Sequence, residues 1–384
     1  TLYAIDHLGK LWVASTNLQD TGLTILPSVL TPVPFFQSLN EKIIKIQQAA
    51  GYGNAIASTI CLTDAGNLYA VGGNALGQFG FGNTTTLTAW TKIPFLSPVK
   101  DFGIYGNTSG NLVNVLIKTL DNKLYGAGCN SYSQLASGVL NVTTFSLIDA
   151  NVNNFTSNTW TIWWTRNDKT LWFRGANAQG EGGNGTIVNK AVNTQISGVT
   201  DAVNVFNYDA WVSSNYPFGC YLTDTGVVKF TGYNREGKFG TSVTSTTPLA
   251  SNVVTNTYRQ PTFAGQGDVV DVVSCHGNVY IRTNDGRVFS SGLQSYRGIS
   301  KGTYTATDLN TFLQVSLPAP VKDMKLTSYY ATTGSDPCFV TCLLETGQVY
   351  CFGYSDGNFV GANGLLVPQA VPINQFYNGI AISS

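Results

Sequence analysis

Hydrophobic and polar positions along this chain follow the pattern of short antiparallel strands. Runs rich in Val, Ile, Tyr, Phe and Thr are interrupted by Gly-containing turns, and helical periodicity is absent. The window from Leu39 to Ala50 is compatible with a helix, but it aligns with a strand in other copies of a repeated motif. The sequence therefore predicts an all-β protein.

The repeated motif is a strand, a turn and a second strand, and it recurs seven times. Its clearest copy reads T-D-A-G-N-L-Y-A-V-G-G-N-A-L-G-Q-F-G at residues 63–80, and the next copy aligns with it without a gap, Asn130 on Asn74. The copies are centred on Gly9, Gly66, Asn122, Lys169, Gly226, Gly286 and Gly347. Their spacing of about 47 to 61 residues is typical of a propeller or a solenoid.

Each copy is predicted to contain a hairpin with a two-residue turn that ends in Gly, because Gly adopts a positive φ without steric cost. Asn122 is the next most tolerant residue at this position, whereas Lys169 predicts a different turn in its copy. A further strand of the form V-x-D-V precedes several hairpins. It occurs at residues 99–102, 199–202, 269–272 and 321–324.

Several strands per repeat and seven repeats predict a seven-bladed β-propeller, in which small antiparallel sheets are arranged radially. Residues 1–384 then form a single domain. The chain begins inside a strand at residues 2–5, and residues 380–383 have the pattern of the strand that should precede it. We therefore expect the N- and C-terminal strands to pair, which closes the ring and leaves no free sheet edge.

The motif G-x-L-Y-x-V-G-x-N-x-x-G-Q-F-G at residues 66–80 resembles the repeat of the regulator of chromosome condensation (RCC) family. The resemblance covers nearly the whole chain. It implies a seven-bladed propeller of RCC-type repeats, in agreement with the number of copies. It also implies a protein-binding platform or a guanine-nucleotide exchange factor, although no residue here matches the loop residues that exchange requires.

Composition narrows the function classes. Only 11% of the residues are charged, and 21 basic residues balance 21 acidic ones. The chain lacks the basic face of a nucleic-acid-binding protein, and no apolar run is long enough to span a bilayer. It starts with Thr1, as a mature or processed chain would. A surface built on Asn, Thr, Ser, Gly and Tyr favours an extracellular or surface-displayed location, with the cytoplasm as the alternative.

Five N-x-[ST] sequons are candidates for glycosylation, and all of them fall in predicted loops. They are Asn83, Asn107, Asn141, Asn154 and Asn184. Chance alone gives about this many sequons in a chain so rich in Asn, Ser and Thr. The sequence therefore leaves open whether they carry glycans.

The seven cysteines are too sparse for a disulfide framework. Two-residue pairing around Thr346-Gly347 places Cys342 directly opposite Cys351, and cross-strand Cβ atoms are roughly 5 Å apart. This pair is a candidate disulfide. Two buried free thiols are the equal alternative, and Cys338 is another candidate partner.

Groups suited to catalysis or metal binding are scarce. The two histidines, His7 and His276, belong to no motif such as H-E-x-x-H. Cys275 and His276 are adjacent on a strand, so their side chains point to opposite faces. No nucleophile elbow and no phosphate-binding loop is present. The sequence predicts a non-enzymatic protein without a cofactor or a metal site.

The loops after the V-x-D-V strands emerge on one face of a propeller, and they are long and rich in aromatic residues. Aromatic rings beside Asn, Ser and Gly are typical of adaptable protein-binding loops. The candidate binding residues are Tyr52, Tyr105, Phe155, Tyr208, Trp211, Tyr216, Tyr329 and Tyr330. The alternative is that these rings fold back and cover the ends of the blades.

Together these observations predict a non-enzymatic propeller that binds a protein or a glycan through this face, or that assembles with copies of itself. The alternative is a guanine-nucleotide exchange factor or another intracellular regulator of the RCC type. No nucleic-acid partner is expected, because the chain has no basic patch.

Overall fold

The computed structural model describes residues 1–15, 21–25, 27–49, 57–95, 97–107, 112–206, 217–234, 237–240, 253–275, 277–292, 309–328, 338–355 and 365–372. Their strands form seven antiparallel sheets that follow one another along the chain. One α-helix, α1 (Pro34–Ser38), occurs within these ranges and connects the first two sheets.

The strands of the first four sheets have the following bounds. Sheet one contains β1 (Leu2–Ile5), β2 (Leu11–Ala14) and β3 (Thr31–Pro32). Sheet two contains β4 (Ile43–Ala49), β5 (Ser58–Thr63), β6 (Leu68–Gly72) and β7 (Leu87–Lys92). Sheet three contains β8 (Val99–Asn107), β9 (Leu112–Thr119), β10 (Leu124–Cys129) and β11 (Asn141–Asp149). Sheet four contains β12 (Val152–Ser157), β13 (Thr161–Arg166), β14 (Leu171–Gly175) and β15 (Lys190–Gln195).

The last three sheets repeat the same order. Sheet five contains β16 (Ala202–Phe206), β17 (Phe218–Thr223), β18 (Val228–Asn234) and β19 (Val253–Arg259). Sheet six contains β20 (Val269–Cys275), β21 (Asn278–Thr283), β22 (Val288–Gly292) and β23 (Leu309–Gln314). Sheet seven contains β24 (Val321–Ser328), β25 (Cys338–Leu344), β26 (Val349–Ser355) and β27 (Leu365–Pro372).

Each sheet is one blade of a ring. At three steps round the ring, the first strand of one blade contacts the first strand of the next: β4 contacts β8, β12 contacts β16, and β20 contacts β24. The first strands therefore line the centre, and the predicted seven-bladed propeller is confirmed. Residues 373–384, which the sequence expects to close the ring, lie outside the described ranges, so pairing of the chain ends stays a prediction.

The core lies between the blades. Six buried apolar clusters of described residues each join two consecutive blades. Alternation along a strand sends neighbouring side chains to opposite sides of a sheet. Trp164 therefore packs with Leu116 of blade three, whereas Trp163 packs with Tyr221 of blade five. Apolar burial on both sides of sheets two to six holds these blades in their radial order.

The hairpin turns are one residue longer than the sequence predicts. Thr63 N donates to Asn67 O at 2.9 Å, Gly66 N donates to Thr63 O at 3.0 Å, and Leu62 lies opposite Leu68. Three residues therefore separate Thr63 from Asn67, and the last of them, Gly66, has φ +77°. This is a type I turn followed by a residue in the left-handed region, which also requires Gly.

The hairpin centred on Lys169 has the same turn as the others. Lys169 adopts φ +63°, its N–H donates to Arg166 O at 2.9 Å, and Arg166 N donates to Thr170 O at 3.0 Å. The expectation of a different turn is therefore wrong. Lys169 Nζ lies 2.7 Å from Asp224 Oδ2, an ion pair that accompanies this disfavoured backbone conformation.

The longer turn also changes the cysteine pairing. Cys342 lies opposite Tyr350, and Cys351 lies opposite Thr341. Facing residues share one side of a sheet and neighbours alternate, so the two cysteine side chains point to opposite sides. The predicted Cys342–Cys351 disulfide is therefore wrong: both cysteines are buried, and neither is in a disulfide. Cys342 instead packs in the apolar cluster between blades six and seven.

The Asn of the repeated motif fastens the loop after the third strand of each blade. Asn74 is fully buried, and its Oδ1 accepts a hydrogen bond from Phe79 N at 3.0 Å. The same bond, to the N–H five residues later, is made by Asn130, Asn177 and Asn234. A hydrogen bond to a buried polar group offsets the cost of its desolvation. These Asn residues therefore have a structural role in their blades.

The Gln of the motif joins one blade to the next. Gln134 Oε1 accepts from Tyr132 N at 3.0 Å, and Nε2 donates to Cys129 O at 2.9 Å and to Thr159 O of blade four at 2.6 Å. Blade four leaves room for this side chain at Gly175, where a Cβ would lie 3.0 Å from Gln134 Cβ. The repeated Gly and Gln are therefore two halves of one contact between consecutive blades.

Candidate functional site

The two ends of the propeller differ in chemistry. The turn face carries the hairpin turns between second and third strands, together with the beginnings of the first strands. The loop face carries the loops that follow the first and third strands. Antiparallel order within every sheet places equivalent connections on the same face.

The aromatic residues that the sequence assigned to the loop face form two groups. Tyr105 and Phe155 lie inside strands β8 and β12, and their rings pack in the cluster between blades three and four. Their assignment to binding loops is wrong, because these strands extend further than the sequence indicated, and both rings cover the core. The remaining candidates lie outside the described residues and stay predictions: Tyr52, Tyr208, Trp211, Tyr216, Tyr329 and Tyr330.

The sequons are more often in strands than expected. Asn107 ends β8, Asn141 begins β11 and Asn154 lies inside β12, so the expectation that all five lie in loops is wrong for these three. Asn83 is exposed in the loop after β6, and Asn184 is half-buried in the loop after β14. Their glycosylation stays a prediction.

The turn face holds the ion pairs between described residues. All eight ion pairs within the described ranges lie at this end. Lys45 Nζ lies 2.6 Å from Asp101 Oδ1, which joins blades two and three. Exposed ion pairs contribute at most about 1 kcal/mol each to stability. The exposed side chains among them can therefore exchange their partners for charges on another molecule at little cost.

A bulge begins most of the first strands and explains the Asp of the V-x-D-V pattern. Asp101 Oδ1 accepts a hydrogen bond from the next residue, Phe102 N, at 2.8 Å. The equivalent bond is made by Asn154, Asn204 and Asp323. In blade five the pattern therefore occupies residues 202–205 rather than the predicted 199–202, because Asn204 holds the bulge and Asp201 pairs with Lys229.

Blade two differs from this rule. Lys45 occupies its bulge position, opposite Leu62. Lys45 Nζ reaches into blade three, where it donates to Asp101 Oδ1 and to Phe102 O, each at 2.6 Å. Sequence reasoning missed this contact. The available signal was a Lys at a register position where other copies of the motif carry Asp or Asn.

Reactive groups are dispersed or buried in the described part of the chain. In those ranges, no cluster of three or more His, Cys, Asp or Glu is arranged to hold a metal ion. Burial raises the pKa of the Cys61 and Cys220 thiols well above the usual range, so both remain protonated and poorly nucleophilic. Nothing helical in the same ranges has the length and apolar character needed to cross a bilayer.

One buried carboxyl group stands apart. Glu181 occupies the position of Gln78 and Gln134 in the blade-four copy of the motif, and it is 1% exposed. Its Oε2 accepts from Gln179 N at 2.9 Å. Burial raises the pKa of Glu181 to about 7, more than this hydrogen bond lowers it. Glu181 therefore titrates near neutral pH inside the contact between blades.

The chain resembles known proteins both in sequence and in structure. Over 124 residues the chain is 32% identical to the mouse X-linked retinitis pigmentosa GTPase regulator. The match covers 32% of this chain and 11% of the mouse protein. The chain therefore matches only a small part of the length of this relative. No protein-family model matches the chain.

Solved structures resemble almost the full length of the chain. Prp20p from Saccharomyces cerevisiae, studied with its binding to Gsp1p and histones, superposes with a TM-score of 0.69 at 14% identity, covering 94% of this chain and 85% of that one. Human WBSCR16 gives a TM-score of 0.64 at 14% identity, covering 97% and 92%. At such low identity, these similarities support the fold alone.

Proposed function

We propose that this chain, a seven-bladed propeller built from repeats of the RCC type, is a protein-binding regulator that works inside the cell. In this proposal it carries out no bond-making chemistry. Its turn face meets a partner protein, and the interdigitated blades supply a rigid support for that face.

The concentration of charge on the turn face carries this proposal. Charged residues make up only 11% of the chain, yet every ion pair of the described ranges lies at that end. Both signs are interspersed there, which suits a partner protein with charges of its own rather than a nucleic acid. Prp20p, a structural relative, binds the proteins Gsp1p and histones, and its crystal form with Kap60 is also known.

Thiol chemistry supports the intracellular location. The cysteines whose state is described are all buried thiols outside any disulfide: Cys61, Cys129, Cys220, Cys342 and Cys351. Disulfides persist in secreted proteins, whereas free thiols are the rule in reducing compartments. The extracellular location, glycan partner and self-assembly that the composition favoured draw no support from the relatives described above.

A charge-reversal variant of the turn face tests the binding proposal. Lys42 and Lys322 are exposed at the beginnings of two first strands, so Lys42→Glu with Lys322→Glu should fold normally. When this double variant is immobilised, it should capture at least about tenfold less partner from a lysate of the native source than the immobilised wild type captures. The matched control is Lys190→Glu, at the loop-face end of β15, which should capture the partner like the wild type. Equal capture by all three proteins would contradict the proposal.

The location is tested by the mass of the protein purified from its native source. Alkylation in denaturant without reductant should modify all seven cysteines, and the five sequons should carry no glycan mass. The same sample after reduction is the control, and it should take up no further alkylating agent. Glycan mass or protected thiols would instead support secretion.

A second candidate is regulation of a small GTPase, favoured by the 124-residue match to a GTPase regulator. Sub-stoichiometric propeller should then accelerate release of fluorescent GDP from one member of a panel of small GTPases. The Lys42→Glu and Lys322→Glu variant should lose this acceleration if the turn face is responsible. If no GTPase of the panel releases GDP faster, exchange on those GTPases is excluded. Protein binding is then the better assignment.

A further inference from the structure

A cleft opens on the turn face between blades three and four. It encloses about 310 Å³ and is lined by Lys100, Asp101, Lys118, Asn153, Asn154 and Phe155. Most of these residues come from the beginnings of two neighbouring first strands, β8 and β12, and Lys118 comes from β9. The cleft therefore lies on the face that we propose binds the partner protein.

Lys118 is an unusual component of this lining. It is only 6% exposed, and its ammonium group donates a hydrogen bond to Asn153 O. No carboxylate of the described residues forms an ion pair with it. Burial and the nearby charge of Lys100 lower its pKa, and the charge of Asp101 raises it by less. A buried ammonium group without an anionic partner is costly, so the cleft favours an added negative charge.

The neighbouring carboxylate of Asp101 meets this demand for negative charge only in part. Asp101 Oδ1 lies 2.6 Å from Lys45 Nζ and accepts from Phe102 N at 2.8 Å, so it is committed to the bulge and to blade two. The cations Lys100 and Lys118 with the single anion Asp101 leave the lining with one uncompensated positive charge. The positive charge is thus concentrated in one small recess of a protein that is neutral overall.

We propose that this cleft receives the carboxylate of a Glu or Asp side chain from an acidic segment of the partner protein. This inference rests on the proposed function and adds the chemistry of its partner. The carboxylate would accept charge-assisted hydrogen bonds from Lys118 and Lys100, while its methylene groups lie against Phe155. The lining has no Arg, so the carboxylate would be held by the two ammonium groups as point charges rather than by a planar fork.

A labelled peptide tests the assignment directly. Fluorescein-labelled hexaglutamate, followed by fluorescence anisotropy at low salt, should bind the full chain, whereas hexaglutamine should not. Lys118→Met keeps the length of the side chain and removes its charge, and it should weaken hexaglutamate binding by about tenfold. Lys100 is exposed, so Lys100→Glu leaves the core intact and should weaken binding at least as much. Lys190→Met, at the opposite end of the propeller, is the control and should bind like the wild type.

Each outcome of the peptide experiment either supports the carboxylate assignment or contradicts it. Equal binding of the two peptides, or unchanged binding by both Lys118→Met and Lys100→Glu, would overturn the assignment. Displacement of the peptide by inorganic phosphate at lower concentration than by acetate would make the cleft a phosphate site and would also overturn it. If hexaglutamate fails to bind while the Lys42→Glu and Lys322→Glu variant still loses the partner, only this inference fails. If that variant keeps its partner, the proposed turn-face function itself fails.

Discussion

Replacing Glu181 by Gln should raise the free energy of unfolding at pH 8 by about 2–3 kcal/mol and leave it nearly unchanged at pH 4. The reason lies in the contact between blades. In blade three the equivalent Gln134 uses Oε1 as an acceptor and Nε2 as a donor to two backbone carbonyl groups. Glu181 keeps the first bond, to Gln179 N, but an ionised carboxylate has no hydrogen to donate.

The pH dependence follows from the direction of the shift. Burial raises the pKa of Glu181 from 4.5 to about 7, so the folded chain binds this proton more tightly than the unfolded chain. Below the unfolded value both states are protonated and the contribution to stability is complete. As pH rises from about 4.5 to about 7, this contribution is lost, and above that range the loss is constant. Glu181→Gln removes the titrating group and therefore removes this part of the pH dependence.

Urea unfolding at pH 4 and pH 8 measures the effect. From pH 4 to pH 8, the free energy of unfolding of the wild type should fall by about 2–3 kcal/mol more than that of Glu181→Gln. The converse control is Gln134→Glu, which places a carboxyl group in the equivalent contact of blade three. This variant should show a further fall in the free energy of unfolding from pH 4 to pH 8. Identical pH profiles for wild type and Glu181→Gln would show that Glu181 is ionised in the fold without cost.

The architecture was predictable because the repeat signature encodes contacts that every blade needs. The Asn of the motif fastens its own loop, and the Gln reaches a carbonyl group of the next blade past a Gly. Such contacts recur with the blade, so their spacing gives the number of blades without knowledge of the strand ends. The recurrence of Asn74 and Gln78 in the motif is therefore explained by these structural contacts rather than by a shared binding function.

The strand register was harder to predict from the same residues. A two-residue turn and a three-residue turn both need a residue at positive φ near the end of the turn, and Gly347 satisfies either. Choosing the shorter turn shifted the register by one residue and placed Cys342 opposite Cys351 instead of Tyr350. A change of one position moves every side chain to the other face of the sheet, so a small error in the turn gave a wrong disulfide.

The candidate site could not be predicted from local sequence because its parts come from different blades. Lys118 is the polar end of an apolar run, V-N-V-L-I-K-T, and reads as a solvent-facing strand terminus. Only the packing of blade four against blade three buries it beside Asn153. Lys45 likewise has its ion-pair partner, Asp101, in the next blade. Contacts of this kind depend on three-dimensional position rather than on a motif.

Gly175→Ala should be the most damaging of the substitutions considered, with a loss of about 4 kcal/mol in the free energy of unfolding. Gly175 ends β14 with φ +118°, a conformation that side-chain-bearing residues rarely adopt. A Cβ there would lie 2.1 Å from Trp160 O and 3.0 Å from Gln134 Cβ. Alanine therefore strains the backbone, collides with a carbonyl group of its own blade and displaces the Gln that joins blade three to blade four.

Gly185→Ala in the same blade separates strain from collision. Gly185 also has a positive φ, +80°, but no heavy atom lies within 4 Å of the position its Cβ would take. This control should cost only about 1–2 kcal/mol, the penalty of the left-handed conformation alone. Urea unfolding of both variants measures the difference, and the soluble fraction after expression substitutes if Gly175→Ala cannot be purified. Equal stability of the two variants would mean that blade four can shift away from Gln134. The Gly–Gln contact would then not be what fixes the spacing of the blades.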